Sequence, residues 1–204
     1  MQLIFFILLI FSIILHEVAH GWIADKLGDP TARYAGRLTL NPLVHIDMLG
    51  SIILPLISIL SPGGFLFGWA KPVPYNPFNF VRMKTWGEAF VAAAGPATNF
   101  ALALMFAGLT RAWGDPLFAS ICFIGVLANL WLGFLNLIPI PPLDGSKVLG
   151  AILPNPLSRT YEEWRMRMEY NPFLGFGIVI VIVLLFGSVA SSFIYTIASV
   201  LTGL

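Results

Sequence analysis

Gln2-Leu3-Ile4-Phe5-Phe6-Ile7-Leu8-Leu9-Ile10-Phe11-Ser12-Ile13-Ile14-Leu15-His16-Glu17-Val18-Ala19-His20-Gly21-Trp22-Ile23 carries no charge before Glu17. At about 1.5 Å of rise per residue, such a run is long enough to cross a hydrocarbon core of about 30 Å as one helix. A cleaved leader would need basic residues ahead of a shorter apolar stretch and a small-residue cleavage site. The first basic residue is Lys26, so the run reads as a retained span. The remainder of the chain agrees. Of 204 residues, 58% are hydrophobic and 10% charged, with mean hydropathy +0.87, whereas soluble domains carry roughly 25% charged residues. This is the composition of an integral membrane protein, and its first partner is the lipid bilayer. Net charge is +1, with no basic face for nucleic acid. Seventeen Phe and six Trp exclude a disordered chain. Cys122, the only cysteine, has no disulfide partner within the chain and no thiolate metal motif around it.

Residues 25–47 are mixed and polar. Within them Tyr34-Ala35-Gly36-Arg37-Leu38-Thr39-Leu40 alternates and is closed by Asn41-Pro42, which predicts a short strand. Met48–Leu60 is apolar but short, is interrupted by Pro55 and is followed by Ser61-Pro62-Gly63-Gly64. It fits a re-entrant segment better than a crossing. Residues 65–87 read as an interfacial loop. Spans follow at Glu88–Leu109 and Pro116–Leu137, joined by Gly114-Asp115-Pro116. Phe173–Leu204 is a last apolar region, as one helix or as two pieces broken at Gly187-Ser188. No internal repeat is apparent. The expectation is an all-α polytopic membrane protein with a re-entrant segment and a short β element, forming one membrane-embedded domain over residues 1–204. If Met48–Leu60 does not cross, segments 25–47, 62–87 and 138–170 share one side and hold ten of the eleven basic residues, leaving Arg111 opposite. The positive-inside rule then makes that side cytoplasmic in a multi-pass protein of the cell membrane.

His16-Glu17-Val18-Ala19-His20 sits in the first span. Residues i and i+4 share a helix face, so the two imidazoles converge, and Glu17 lies about 100° round from His16. This is the H-E-x-x-H pattern, with two zinc ligands and a general base. Ionisable groups inside a span are costly and functional by default; the bland alternative is a polar cluster satisfied by neighbouring helices. Ser12 and Ala24, on the same face, are small enough to let another helix approach. Catalytic zinc takes three protein ligands, and the third is His45 or Asp144. Asp144 is favoured. It closes the Pro-broken stretch Asn136-Leu137-Ile138-Pro139-Ile140-Pro141-Pro142-Leu143-Asp144-Gly145, on the same side as the histidines. Irregular backbone at membrane depth is tolerated only against protein or a wet cavity.

His16-Glu17-x-x-His20 in a span, joined to Asn136…Pro-x-x-x-Asp144-Gly145 after a later one, resembles the site-2 proteases, which are intramembrane zinc metalloproteases. Gly95-Pro96-Ala97-Thr98-Asn99 also matches a motif of that family, and the resemblance covers residues 10 to 150. It implies Zn2+ held by His16, His20 and Asp144, with Glu17 as the catalytic base. It also implies Asn136 as a catalytic group contacting substrate or the developing oxyanion. Asn41–Asp47 resembles a short, compact branch of the family, in which His45 lines the site, gates it or makes a structural hydrogen bond. PDZ and CBS domains, which many members carry, are not expected within these residues.

The function this implies is a zinc metalloendopeptidase. It would hydrolyse a peptide bond in or near the transmembrane segment of a single-span membrane-protein substrate, from the cytoplasmic side. The substrate must first unwind, because the backbone carbonyls of a helix are occupied. An unwound segment could add to the strand expected at 34–40. A homo-oligomer is allowed but not required. The rival from another class is a non-catalytic zinc-containing protein that binds membrane helices without cutting them. Intact Glu17 speaks against it. A metal transporter would spread ionisable groups along the bundle, whereas here they gather at one depth.

Overall fold

A computed structural model describes residues 1–53, 56–57 and 68–204. Helix α1 (Gln2–Leu27) ends at Gly28, whose φ of 108° is the left-handed cap that glycine permits; the amides of Gly28 and Asp29 bond back to Asp25 and Ala24. A single turn, α2 (Thr31–Tyr34), follows. Helix α3 (Gly87–Ala112) and helix α4 (Pro116–Asn136) form a hairpin, with Asp115 capping α4 by accepting the Phe118 amide at 2.7 Å and Pro116 in its first turn. Helices α5 (Asp144–Ile152) and α6 (Leu157–Tyr170) lead into α7 (Pro172–Thr202). The last helix runs unbroken through Gly187-Ser188, which decides between the one-helix and two-piece expectations.

Helices α1, α3, α4 and α7 are each long and apolar enough to cross a membrane. Helix α3 is central and packs against α1, α4, α5 and α7. The core between α3, α4 and α7 is built from Ala103, Ala107, Val126, Leu130, Ile194 and Ala198, with Phe100 and Phe106 filling in beside it. Gly125 and Gly133 leave room for those two rings: a Cβ at either would approach Phe106 or Phe100 to 3.0 Å or less. Without a hydrophobic drive between helices in lipid, close approach of this kind is what holds the bundle.

The strand expected at 34–40 is not formed. Tyr34 ends α2, Gly36 turns the chain at φ 65°, and the amides of Gly36 and Arg37 bond back to Arg33 and Ala32. These bonds consume the donors a strand would need, and no strand is present among the described residues. The chain beyond forms a 3-10 turn, Pro42–His45, and a π-helical turn, Met48–Ile53. The expected re-entrant segment Met48–Leu60 lies partly outside the described residues. A strap, residues 68–76, then bonds to the 45–50 turns, to α1 and to Asp29. The Trp69 amide bonds Gly50 O, the Lys71 amide bonds His45 O, the Val73 amide bonds Glu17 Oε2 and the Asn76 amide bonds Asp29 Oδ2.

Candidate metal centre

The two histidines of α1 face α3 and are fixed through the same ring atom by different means. His16 Nδ1 lies 2.6 Å from Asn99 Oδ1, and His20 Nδ1 lies 2.7 Å from the carbonyl oxygen of Val91. Pro96 lies between these two contacts. It lacks the N–H that would bond the carbonyl four residues earlier, that of Ala92. Both partners are acceptors, so each Nδ1 carries a proton and donates. In the neutral ring this leaves the Nε2 lone pair free.

Those two Nε2 atoms point at Asp144. Its Oδ2 is 3.1 Å from His16 Nε2 and 3.3 Å from His20 Nε2, and the imidazole centroids are 4.6 Å apart. Asp144 arrives at the start of α5, where Gly145 lets the chain pass against the carbonyl of Leu137; a Cβ there would collide with it. Oδ2 is buried without a hydrogen-bond donor.

Three lone-pair atoms facing one another is an arrangement that repels unless a cation lies among them. A shared proton can satisfy two of the three; a divalent ion satisfies all of them. Gly95 of α3 leaves the space. A Cβ built there would stand 2.5 Å from Nε2 of both histidines. Two imidazole nitrogens and one carboxylate oxygen are the donor set of a catalytic zinc site with an open fourth position.

Glu17, beside His16, has its donor atoms within 4.8 Å of those of both histidines. Its Oε2 accepts the Val73 amide at 2.8 Å, so the strap orients it. His45 is not in the cluster: it is buried, and Nε2 lies 2.9 Å from Thr39 O. Asn136 is at the C-terminal end of α4, and its Nδ2 donates to Leu132 O at 3.0 Å, one turn back on its own helix. Lys147, one turn after Asp144, stands 5.1 Å from the Tyr75 ring centroid. Burial works against its charge, but Tyr75, Asp144 and Glu169 together keep it protonated.

Sequence reasoning gave neither a role for Asn99 nor any mention of Asn129 and Val91. A Ser12-His16-His20 spacing on one helix face, with amides at 99 and 129 in other spans, was the available signal for the first two. Backbone carbonyls carry none.

The family model described as "Peptidase family M50" matches residues 4–121 and 111–176. The Bacillus subtilis protein named "Putative zinc metalloprotease YwhC" is 39% identical over 158 residues, which cover 72% of this chain and 68% of that protein. The Mycolicibacterium smegmatis protein named "Putative zinc metalloprotease Rip2" is 36% identical over 178 residues, covering 85% of this chain and 63% of that one. Its Mycobacterium tuberculosis namesake is 37% identical over 142 residues, covering 68% and 52%. The matches thus cover between about half and just over two thirds of the length of these relatives. No solved structure gives a significant match.

Proposed function

The chain belongs to peptidase family M50 and is a multi-pass membrane zinc metalloprotease, and on that premise we propose that it hydrolyses a peptide bond in or near the transmembrane segment of a single-span membrane protein. The observation that carries this reading is the convergence of His16, His20 and Asp144 between helices that are themselves membrane spans. Residues 1–204 act as one membrane-embedded catalytic domain.

His16 Nε2, His20 Nε2 and Asp144 Oδ2 would hold the zinc. Bound there, zinc supplies a Lewis acid that acidifies water and polarises a carbonyl. The remaining work belongs to side chains. Glu17, with Oε2 committed to the Val73 amide, uses Oε1 to take the proton of the attacking water and returns it to the leaving amine. Asn136 contacts the substrate carbonyl as charge develops on oxygen. Its Nδ2 carries a second hydrogen beyond the one given to Leu132. The side of the membrane bearing the strap, α5 and α6 is cytoplasmic, since ten of the eleven basic residues lie on it.

The deciding experiment uses Glu17→Gln, which keeps the shape of the side chain and removes its basicity. Zinc content should match wild type, while cleavage of a single-span membrane protein falls by a factor of about 10²–10⁴, and uncut substrate should copurify with the variant. Equal cleavage by both forms at full zinc would refute the assigned base. No cleavage by either would favour a protein that only binds membrane helices.

A further inference from the structure

Behind His16 a chain of polar side chains leads away from the metal centre and into the membrane-embedded core. His16 Nδ1 meets Asn99 Oδ1 at 2.6 Å, Asn99 Nδ2 donates to Asn129 Oδ1 at 3.0 Å, and Asn129 Nδ2 donates to Ser12 Oγ and to Gly125 O, both at 2.9 Å. Asn99 and Asn129 are completely buried and Ser12 nearly so. Three helices contribute: Ser12 and His16 come from α1, Asn99 from α3, and Gly125 and Asn129 from α4.

The polarity of this chain is set at its far end. An amide can be turned over, exchanging donor for acceptor, and a serine hydroxyl can serve as either. A backbone carbonyl can only accept. Gly125 O therefore requires the amino group of Asn129 to face it, which turns Asn129 Oδ1 toward Asn99. That oxygen requires the amino group of Asn99, which turns Asn99 Oδ1 toward His16. An oxygen there requires a proton on Nδ1, and the neutral ring must then offer Nε2 as a lone pair to the metal side. Reversing either amide would put oxygen against oxygen or leave a buried amide unpaired, which is costly at this depth.

We propose that Asn129 is a positioning residue of the metal centre: through Asn99 it dictates which nitrogen of His16 carries the proton, and so keeps Nε2 competent to bind zinc. It touches neither the metal-binding atoms nor any substrate. The proposal rests on the metal-centre reading above and extends it one helix further out.

The test is zinc affinity of the purified full chain by chelator competition, with the melting temperature of the metal-free protein measured in parallel. Two changes at the same buried cluster are compared. Asn129→Leu removes the polarity anchor. Ser12→Ala removes one hydrogen bond but leaves Gly125 O, Asn129 and Asn99 in place. Zinc affinity should fall by about 10–100-fold in Asn129→Leu, the usual cost of losing an outer partner of a ligating histidine. In Ser12→Ala it should stay within about threefold of wild type. Asn129→Thr gives the same reading should the leucine variant not fold, because its hydroxyl can still bond Gly125 O but is too short to reach Asn99. A merely structural role predicts lower metal-free melting temperatures with unchanged affinity, and that result overturns the proposal. So does an equal loss of affinity in Ser12→Ala and Asn129→Leu. Absence of zinc binding by the wild-type protein would instead count against the metal centre itself.

Discussion

Gly95 shows how much the centre depends on an atom that is missing. Among ordinary helix positions Ala stabilises by up to about 1 kcal/mol over Gly, so Gly95→Ala should cost the helix nothing. Yet its Cβ would stand 2.5 Å from Nε2 of both His16 and His20. Neither ring can turn aside cheaply, since His16 is tied to Asn99 and His20 to Val91. Gly95→Ala should therefore lose most of its zinc in elemental analysis while keeping wild-type helical content by circular dichroism. Full zinc occupancy would mean that the space over the histidines is not the metal's. The motif Gly95-Pro96-x-x-Asn99 thereby acquires a physical reading. The glycine clears the site, the proline removes one helical N–H donor between Val91 and Asn99, and the asparagine, one turn after the glycine, reaches back to His16. The residues legible in the sequence were those whose geometry is local. The convergence of His16 and His20 follows from helix periodicity, and the approach of Asp144, in preference to His45, from a run of prolines that no helix could accommodate. Asn99 was visible as part of a motif but silent about its purpose, because its partner comes from another helix. The hydrogen bond from Asn136 Nδ2 to Leu132 O likewise had no signal in the sequence.

Between helices, the extended segment that finds hydrogen-bond partners in other parts of the chain is the strap at 68–76 and not the strand expected at 34–40. Alternation of side chains marks the faces of an extended chain but does not supply hydrogen-bond partners. Those exist elsewhere in the chain for Trp69, Lys71 and Val73, whereas the amides of residues 34–37 bond back to the carbonyls of residues 30–33 and the Arg37 guanidinium donates to Lys71 O at 2.6 Å. Pro72 and Pro74, at the intervening positions, remove N–H donors from the outer edge, which discourages another strand from adding there. Asp29 anchors the strap's far end. It is fully buried and accepts from the Thr31 amide and hydroxyl, the Asn76 amide and Asn79 Nδ2. Burial pushes its pKa up, but hydrogen bonds from Thr31, Asn79 and Asn76 push harder, and the net shift is downward. A carboxyl whose pKa is depressed by folding contributes stability at pH values above its unfolded pKa of about 3.9, and that contribution fades as pH falls through the lower folded value. Asn can accept at one oxygen only, so Asp29→Asn should lower stability at pH 7 by about 1.5–3 kcal/mol, the scale of hydrogen bonds to a charged group. The gap between variant and wild type should narrow under strongly acidic conditions. Thermal unfolding in detergent at both pH values measures it, and a pH-independent difference would remove the carboxylate from the explanation.

At the scale of the whole molecule, the hydrogen bonds across 45–50 and 69–71 bear on membrane topology. Lys71 bonds His45 O and Trp69 bonds Gly50 O, so the two ends of the intervening stretch lie side by side on one face of the bundle. Crossings by the four long apolar helices found among the described residues would put residues 28–53 and 68–86 on the same side as 137–171, with the turn at 113–115 opposite. The single basic residue on that opposite side has a local occupation. Arg111 donates to the carbonyls of Val200 and Leu201, both at 2.7 Å, where the end of α7 leaves carbonyls without helical partners. A guanidinium engaged in this way ties the end of α3 to the end of α7. The orientation can be read with single cysteines on a Cys122→Ala background, using a thiol reagent that does not cross the membrane. Positions 84 and 114 are both exposed at the protein surface, so accessibility depends on the side of the membrane and not on burial. In intact cells Gly114→Cys should label and Lys84→Cys should not. After the membrane is permeabilised, both should label. The reverse pattern would turn the molecule over and bring the His16–His20–Asp144 cluster toward the outside. Labelling of both in intact cells would mean that the segments around the strap do not share a side, and the four-span arrangement would have to be abandoned.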